Sequence, residues 1–150
     1  MTARLGIAVL VLVSMSSAAP AQLPRYDTFR LRDGEIVRRH DPYFARCLNN
    51  AMGSDAEASR CIDIEAENQD RALNRAYRAA MARQRNASAR SRLRADQRRW
   101  LTVRHRHCDR EVEAQTGAAP GEYGTLDRLS WHFCALHDVT RRTVWLERLS

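Results

Sequence analysis

The sequence predicts an all-α protein: a three-helix antiparallel bundle made of a long helical hairpin and a C-terminal helix. Three stretches of the 150-residue chain carry apolar residues at the i, i+3, i+4 spacing of an amphipathic helix. None of the three stretches contains proline or glycine. Four cysteines in a chain of this size further predict two disulfides that stabilise a small core.

The first predicted helix begins at Ser54 and runs to about Gln84. Ser54-x-x-Glu57 is a capping box, in which each side chain accepts a hydrogen bond from the backbone N–H of the other residue. The inward stripe consists of Ile62, Ala66, Leu73, Ala76, Tyr77 and Ala80. The acidic residues Asp63, Glu65, Glu67 and Asp70 are spread around the helix and are predicted to be solvent-exposed.

Residues 85–88 are the predicted break after this helix, because Asn86 and Ser88 favour turns and helix caps. The second helix carries the stripe Leu93, Gln97, Trp100, Arg104, Cys108 and Val112. It ends at a loop over 116–124 that contains three glycines and a proline. The third helix carries the stripe Leu126, Leu129, Phe133, Leu136, Thr140 and Val144. Because the connections are short, adjacent helices are predicted to run antiparallel.

The N-terminus reads as a secretory signal peptide, residues 1–21. Arg4 supplies a basic residue, an apolar run of about 11 residues follows, and small residues end the segment at Ala21. The run is too short for a membrane span, which needs about 20 residues. We therefore expect cleavage near Ala21 and a periplasmic or secreted protein that does not span a membrane.

Residues 22–46 are predicted to be an irregular or hairpin lead-in to the helical domain, which covers 47–150. The pair Asp33-Gly34 favours a two-residue hairpin turn between alternating apolar residues. The alternative is an extended segment, because a lone hairpin is only marginally stable in water.

The positions of Cys108 and Cys134 predict that these two residues form a disulfide. Cys108 lies 8 residues before the 116–124 loop begins, and Cys134 lies 10 residues after it ends. An antiparallel pair of helices joined by this loop therefore brings the two side chains to the same level.

Cys47 and Cys61 each lie 7 residues from Ser54 and are predicted to form the second disulfide. They are level with each other if residues 42–51 form a short helix. The rival pairing is Cys61 with Cys108, because the first two long helices also run antiparallel and these residues are within about a turn of level.

Arginine dominates the charge of the chain, which has 25 arginines, no lysine, 18 acidic residues and a formal net charge of +7. Loss of Arg4 with the signal peptide leaves +6. Such a charge suits anionic envelope polymers. We expect no nucleic-acid binding, because acidic residues interleave with the arginines, no binding motif occurs and the protein is exported.

The stretch QRRWLTVRHRHC, residues 97–108, raises the question of a metal site. The candidate ligands are His105, His107, Cys108, His132 and Cys134. His105 and His107 point about 200° apart on a helix and cannot share one ion, and a disulfide removes the thiolate of Cys108. We expect no metal and no cofactor, with His105 forming a surface pair with Asp109. No catalytic motif occurs, so we do not expect an enzyme.

Three segments together match a family pattern: DRALNRAY at 70–77, QRRWLTVRHRHC at 97–108, and a later cysteine followed by RTVWL at 142–146. In order and spacing they resemble the LprI-like lysozyme-inhibitor family of small exported helical proteins. The resemblance covers residues 47–146. The matching residues are Asp70, Leu73, Asn74, Tyr77, Gln97, Trp100, Arg104, Cys108, Cys134, Arg142 and Leu146. The family usually has aspartate where this chain has His105.

We interpret the matching residues as structural, with direct contact to a partner as the alternative. Leu73, Tyr77 and Trp100 are predicted to lie in the core. Asn74, Gln97 and Arg104 lie on the inward stripes and are predicted to form hydrogen bonds across the hairpin, because buried polar groups need partners.

The resemblance implies that the protein binds lysozyme and blocks its cleft; the alternative is a non-inhibitory envelope module that is structural or binds anionic polymers. Animal-type lysozymes are generally basic, so a protein with a charge of +6 is repelled at long range. Inhibition therefore needs a local acidic contact or a loop. Glu122 and Tyr123, in the 117–124 loop, are the candidate contacts, and a simple connector is the alternative for that loop.

Overall fold

The structure is a computed structural model that describes residues 23, 26, 29, 32–51 and 53–149. These residues form five α-helices and no strand. The helices are α1 (Asp33–Val37), α2 (Pro42–Asn50), α3 (Asp55–Arg83), α4 (Ala87–Thr116) and α5 (Thr125–Glu147). The all-α prediction is confirmed, but two short helices precede the three long ones. The predicted signal peptide lies outside the described residues. Within the described part of the chain, no helix is long and apolar enough to cross a membrane.

Local caps set the ends of the long helices. Ser54 Oγ accepts a hydrogen bond from the Glu57 N–H at 3.3 Å at the start of α3. Asn86 Oδ1 accepts one from the Ala89 N–H at 2.8 Å at the start of α4. α4 ends at Gly117, whose φ of 75° lies in the left-handed region that favours glycine. The helix boundaries therefore follow directly from residues that the sequence contains.

The β-hairpin predicted from the Asp-Gly pair is wrong, because Asp33–Val37 forms α1. The hairpin turn that such a pair favours needs positive φ, and Gly34 does not have one. α1 instead buries Ile36. The residues after it attach to the C-terminal helix, since Arg39 Nη1 lies 2.8 Å from Glu147 Oε2.

Two disulfides join the helices in the predicted pairs. Cys47 on α2 bonds to Cys61 on α3, with their Cα atoms 5.8 Å apart. Cys108 on α4 bonds to Cys134 on α5, with their Cα atoms 5.6 Å apart. The rival bond between Cys61 and Cys108 is excluded, because each residue already has another partner.

α5 is the central helix of the bundle, which the prediction of a hairpin between α3 and α4 did not foresee. The backbone of α5 packs closely along α3 and, less extensively, along α4. From Leu136 to Leu146 its side chains are largely buried, whereas Leu126, predicted to face inward, is 68% exposed. The first turn of α5 therefore projects beyond the core, and the inward stripe begins only at Leu129, which is partly buried.

Glu65 corrects the prediction that all acidic side chains of α3 face solvent, because it is only 1% exposed. Its Oε1 accepts hydrogen bonds from the Asp41 N–H at 3.2 Å and from Gln69 Nε2 at 2.6 Å. Gln69 in turn donates to the Arg39 carbonyl and accepts from Thr140 Oγ1. This buried polar network fastens the segment before α2 to both α3 and α5.

Candidate functional site

A cleft opens where α3 and α4 diverge over α5. Its volume is about 180 Å³. The small side chains of Ala66 and Ala135 leave room in its floor, which Leu136 and Val139 complete. The rim carries Asp70, Arg104, His105, Trp131 and His132. The cleft thus combines an apolar floor with a polar and aromatic rim, which is the usual composition of a binding site.

Asp70 and Arg104 lie on opposite walls of this cleft. No ion pair joins them within the described residues. Arg104 was predicted to form a hydrogen bond across the hairpin; in the described part of the chain its guanidinium instead lies over the ring of Trp100, with Cζ 5.6 Å from the ring centroid. Asp70 is exposed. Both charged groups therefore remain available to a ligand or a partner.

His105 contacts the aromatic part of the rim. Its ring lies edge-to-face with Trp131, with the centroids 4.9 Å apart. Partial burial lowers the pKa of His105, and the charge of Arg104 lowers it further. Both effects favour the neutral form of the imidazole at the cleft.

The predicted pair between His105 and Asp109 does not form. Asp109 Oδ1 instead accepts a hydrogen bond from Trp131 Nε1 at 2.7 Å. Tyr123 Oη lies 3.5 Å from both the carbonyl and the Oδ1 of Asp109. Asp109 therefore holds the half-buried Tyr123 of the α4–α5 loop against the bundle. Glu122, the other residue predicted to contact a partner, is exposed.

The residues considered as metal ligands do not converge on one site. His107 Nε2 lies 3.5 Å from Glu111 Oε2, so the i, i+4 contact with a carboxylate forms here and not at His105. These two residues and Cys134 form the one group in the described residues with donor atoms close enough to share an ion. Because the sulfur of Cys134 is bonded to Cys108, it offers no thiolate, and the remaining pair is a weak donor set.

A buried polar network adjoins the cleft, which Asp138 also lines. Asp138 Oδ2 accepts a hydrogen bond from Trp100 Nε1 at 3.1 Å, and Oδ1 accepts one from Tyr26 Oη at 2.9 Å. Arg141 forms an ion pair with the same carboxylate. Burial raises the pKa of Tyr26, and the charge of Asp138 raises it further. Asp138 thus accepts the hydrogen bond of the buried indole N–H of Trp100.

Arg142 completes this network and is fully buried. Its Nε donates to Gln97 Oε1 at 2.9 Å, and its Nη2 lies 2.6 Å from Asp96 Oδ2. Its Cζ lies 4.1 Å from the ring centroid of Trp145 and 5.5 Å from that of Trp100. Gln97, Trp100 and Arg142 therefore have a structural explanation. The sequence pattern did not identify Asp96 and Asp138 as members of this network, because an isolated acidic residue on a helix is usually expected to face solvent.

The other family-pattern residues on α3 and α5 include both buried and exposed positions. Leu73 and Leu146 belong to the main hydrophobic core, and Tyr77 packs against it. Asn74 is exposed, which corrects the prediction that it faces inward. It lies one turn beyond Asp70 on the same side of α3. The pattern therefore includes both buried residues and residues that reach the surface near the cleft.

The fold separates the charges of the chain into two ends. We define the acidic end as residues 41–70 and 105–137, which include 12 acidic residues and 5 arginines. The basic end, residues 71–104 and 138–149, includes 3 acidic residues and 14 arginines. Each end is continuous in space because α4 runs antiparallel to α3 and α5, which are parallel to each other, as the contacts of Gln69 with Thr140 and of Arg83 with Leu146 show. The cleft rim, the α4–α5 loop and both disulfides lie at the acidic end, apart from Arg104 at its border.

The comparisons with known proteins agree with the pattern described from the sequence. A family model described as Lysozyme inhibitor LprI matches residues 47–146. No curated protein and no solved structure matches the chain. The matched region begins within α2 and ends within α5, so it contains both disulfides, the cleft and the network of Asp138 and Arg142 apart from Tyr26. The chain belongs to the LprI lysozyme-inhibitor family.

Proposed function

We propose that this protein binds a basic lysozyme through its acidic end and blocks the enzyme's cleft. The observation that carries the proposal is the separation of charge: an excess of 7 negative charges at one end of a chain whose net charge is +7. A partner responds to the surface that it approaches, not to the total charge. The protein acts as a binding protein, not as an enzyme, after export and cleavage near Ala21.

The dimensions of the bundle make this separation effective. α3 has 29 residues and α4 has 30, so each is about 45 Å long at about 1.5 Å per residue. The Debye length at physiological ionic strength is about 8 Å. A partner at the acidic end is therefore screened from most of the arginines at the other end.

The cleft and the loop offer the contacts for docking. Asp70 at the rim and Glu122 in the loop are exposed carboxylates that suit arginine or lysine side chains of a basic partner. Trp131 adds an aromatic face beside them. Tyr123 supports the loop through Asp109, and in this proposal it shapes the contact surface without entering the lysozyme cleft.

A cell-wall lysis assay tests the proposal. Purified mature protein is titrated against one basic and one acidic lysozyme, and we expect inhibition of the basic enzyme. The double variant Asp70→Asn, Glu122→Gln should weaken inhibition about fivefold, because exposed charges contribute roughly 0.5 kcal/mol each.

The double variant Glu35→Gln, Glu147→Gln is the matched control. It removes two charges from surface ion pairs with Arg148 and Arg39, away from the acidic end, and should leave inhibition unchanged. Equal weakening by both double variants would contradict docking at the acidic end. No inhibition of any lysozyme at micromolar protein would contradict the proposed function itself.

The second candidate function is a non-inhibitory envelope module that is structural or binds anionic polymers. The basic end favours it, because 11 of the 34 residues from 71 to 104 are arginines and only one is acidic. Salt-sensitive binding to an envelope polyanion, with no effect on lysozyme, is the result that this candidate predicts.

A further inference from the structure

We propose that the turn between α3 and α4 is a docking surface for a linear, phosphate-bearing anionic polymer of the cell envelope. This inference develops the second candidate function and does not depend on lysozyme binding. It assigns the polymer to one surface of the molecule and to one kind of anion.

The basic surface is concentrated on either side of the α3–α4 connection. Residues 71–99 contain 10 arginines and one acidic residue, Asp96. Asp96 is already occupied, since its Oδ2 lies 2.6 Å from Arg142 Nη2 and its Oδ1 lies 3.1 Å from Arg99 Nη2. Among the arginines of this segment, the carboxylate of Asp96 therefore pairs only with Arg99 in the described part of the chain.

Five of these arginines form no ion pair or hydrogen bond with the described residues and are exposed. They are Arg75, Arg78, Arg85, Arg94 and Arg98. The other five use their guanidinium groups within the chain; Arg83, for example, donates to the carbonyls of Leu146 and Leu149. The surface thus offers guanidinium groups that are free to donate hydrogen bonds to a ligand.

The spacing on α3 arranges the charges in a line. Arg71, Arg75 and Arg78 follow the i, i+4, i+7 pattern and lie on one side of the helix. The buried residues Leu73, Ala76 and Ala80 lie on the other side. The Cα atoms of successive arginines in this line differ by about 5–6 Å along the helix axis, which suits a polymer with regularly repeated charges.

The chemistry of the surface favours phosphate on a hydrated polymer over a membrane. Guanidinium groups match the geometry of phosphate with paired hydrogen bonds. Between residues 71 and 99, no large hydrophobic side chain is among the strongly exposed ones of the described chain. A helix that inserts into a lipid surface needs such apolar side chains.

Binding to poly(glycerol phosphate) at several salt concentrations tests this inference on the mature protein. For the wild type we expect affinity to fall steeply with salt, as counterions are released. The variant with Arg75, Arg78, Arg94 and Arg98 changed to Gln should bind about tenfold or more weakly. Its log–log salt slope should be smaller by about three.

The matched control changes Arg46, Arg60, Arg106 and Arg110 to Gln. These exposed arginines belong to the acidic end, and their removal lowers the net charge by the same amount. We expect a loss of less than about threefold, and unchanged thermal melting in both variants. Equal losses in the two variants would overturn the assignment to this surface.

Two further outcomes separate the proposals. Tighter binding to anionic phospholipid vesicles than to the polymer, lost in the same fourfold variant, would overturn the choice of partner. Undiminished lysozyme inhibition by that variant is expected, because the basic end takes no part in lysozyme binding. The two functions therefore succeed or fail separately.

Discussion

The two ends of the bundle differ in how they are held together and in what they leave exposed. At the basic end, Arg142 and Asp138 fasten α4 and α5 through buried ion pairs, hydrogen bonds and aromatic contacts. At the acidic end, one disulfide joins α4 to α5 and another joins α2 to α3, the Glu65 network adds buried hydrogen bonds, and a cleft remains open between α3 and α4. The family-pattern residues therefore have two roles. Some complete the buried network of Asp138 and Arg142, and others line the cleft.

The largest expected loss of stability comes from a change in the buried network of Asp138 and Arg142. Trp100→Ala should lower the free energy of unfolding by about 3–5 kcal/mol, because it removes a 4% exposed ring and leaves Asp138 without one of its donors. Urea denaturation followed by circular dichroism measures this. Leu101→Ala, at a neighbouring position that is 49% exposed, is the control and should cost much less. Equal losses would show that the network does not stabilise the basic end.

The next effect concerns the disulfides of the acidic end. The double variant Cys108→Ser, Cys134→Ser should lose about 3 kcal/mol, since the bond closes a loop with a sequence separation of 26 residues. Hydrogen exchange should increase in the α4–α5 loop more than around Gln84–Asn86. Greater exchange at the α3–α4 turn would contradict the division of the molecule into two differently stabilised ends.

A smaller effect is expected from pH, through His40. Burial lowers the pKa of His40; Glu65 opposes this shift and His137 reinforces it. The unfolded chain then binds a proton more readily than the folded one, so stability falls as the pH drops through about 6.5. The melting temperature should be lower at pH 6.0 than at pH 7.5. His40→Gln should reduce that difference, and an unchanged difference in this variant would contradict the role of His40.

Helix periodicity predicted much of the fold because each long helix contains its own signals. The Ser54 cap, the loop glycines and the apolar stripes are local features of the sequence, and the disulfide pairs followed from the expected register of the helices. The central position of α5 could not be predicted in this way. It depends on which of the three long helices packs against both of the others. The Asp-Gly pair was misleading for a similar reason, since packing of Ile36 decides in favour of a helix there.

The candidate site was predictable only in part. The pattern identified Asp70 and Arg104 but did not reveal that they lie on opposite walls of a cleft. Asp109 was associated with His105, although it binds Trp131 and supports Tyr123. These contacts join residues from different helices, and a periodic pattern on one helix contains no information about them.

Hydrogen–deuterium exchange on the complex with a basic lysozyme tests the central claim, docking through the acidic end, most directly. The two interhelical connections serve as internal probes, one at each end of the bundle: residues 84–86 and residues 117–124. We expect the amides of 117–124 to exchange more slowly in the complex, and those of 84–86 to remain unchanged. Protection of 84–86, with no change in 117–124 at saturating lysozyme, would contradict the claim.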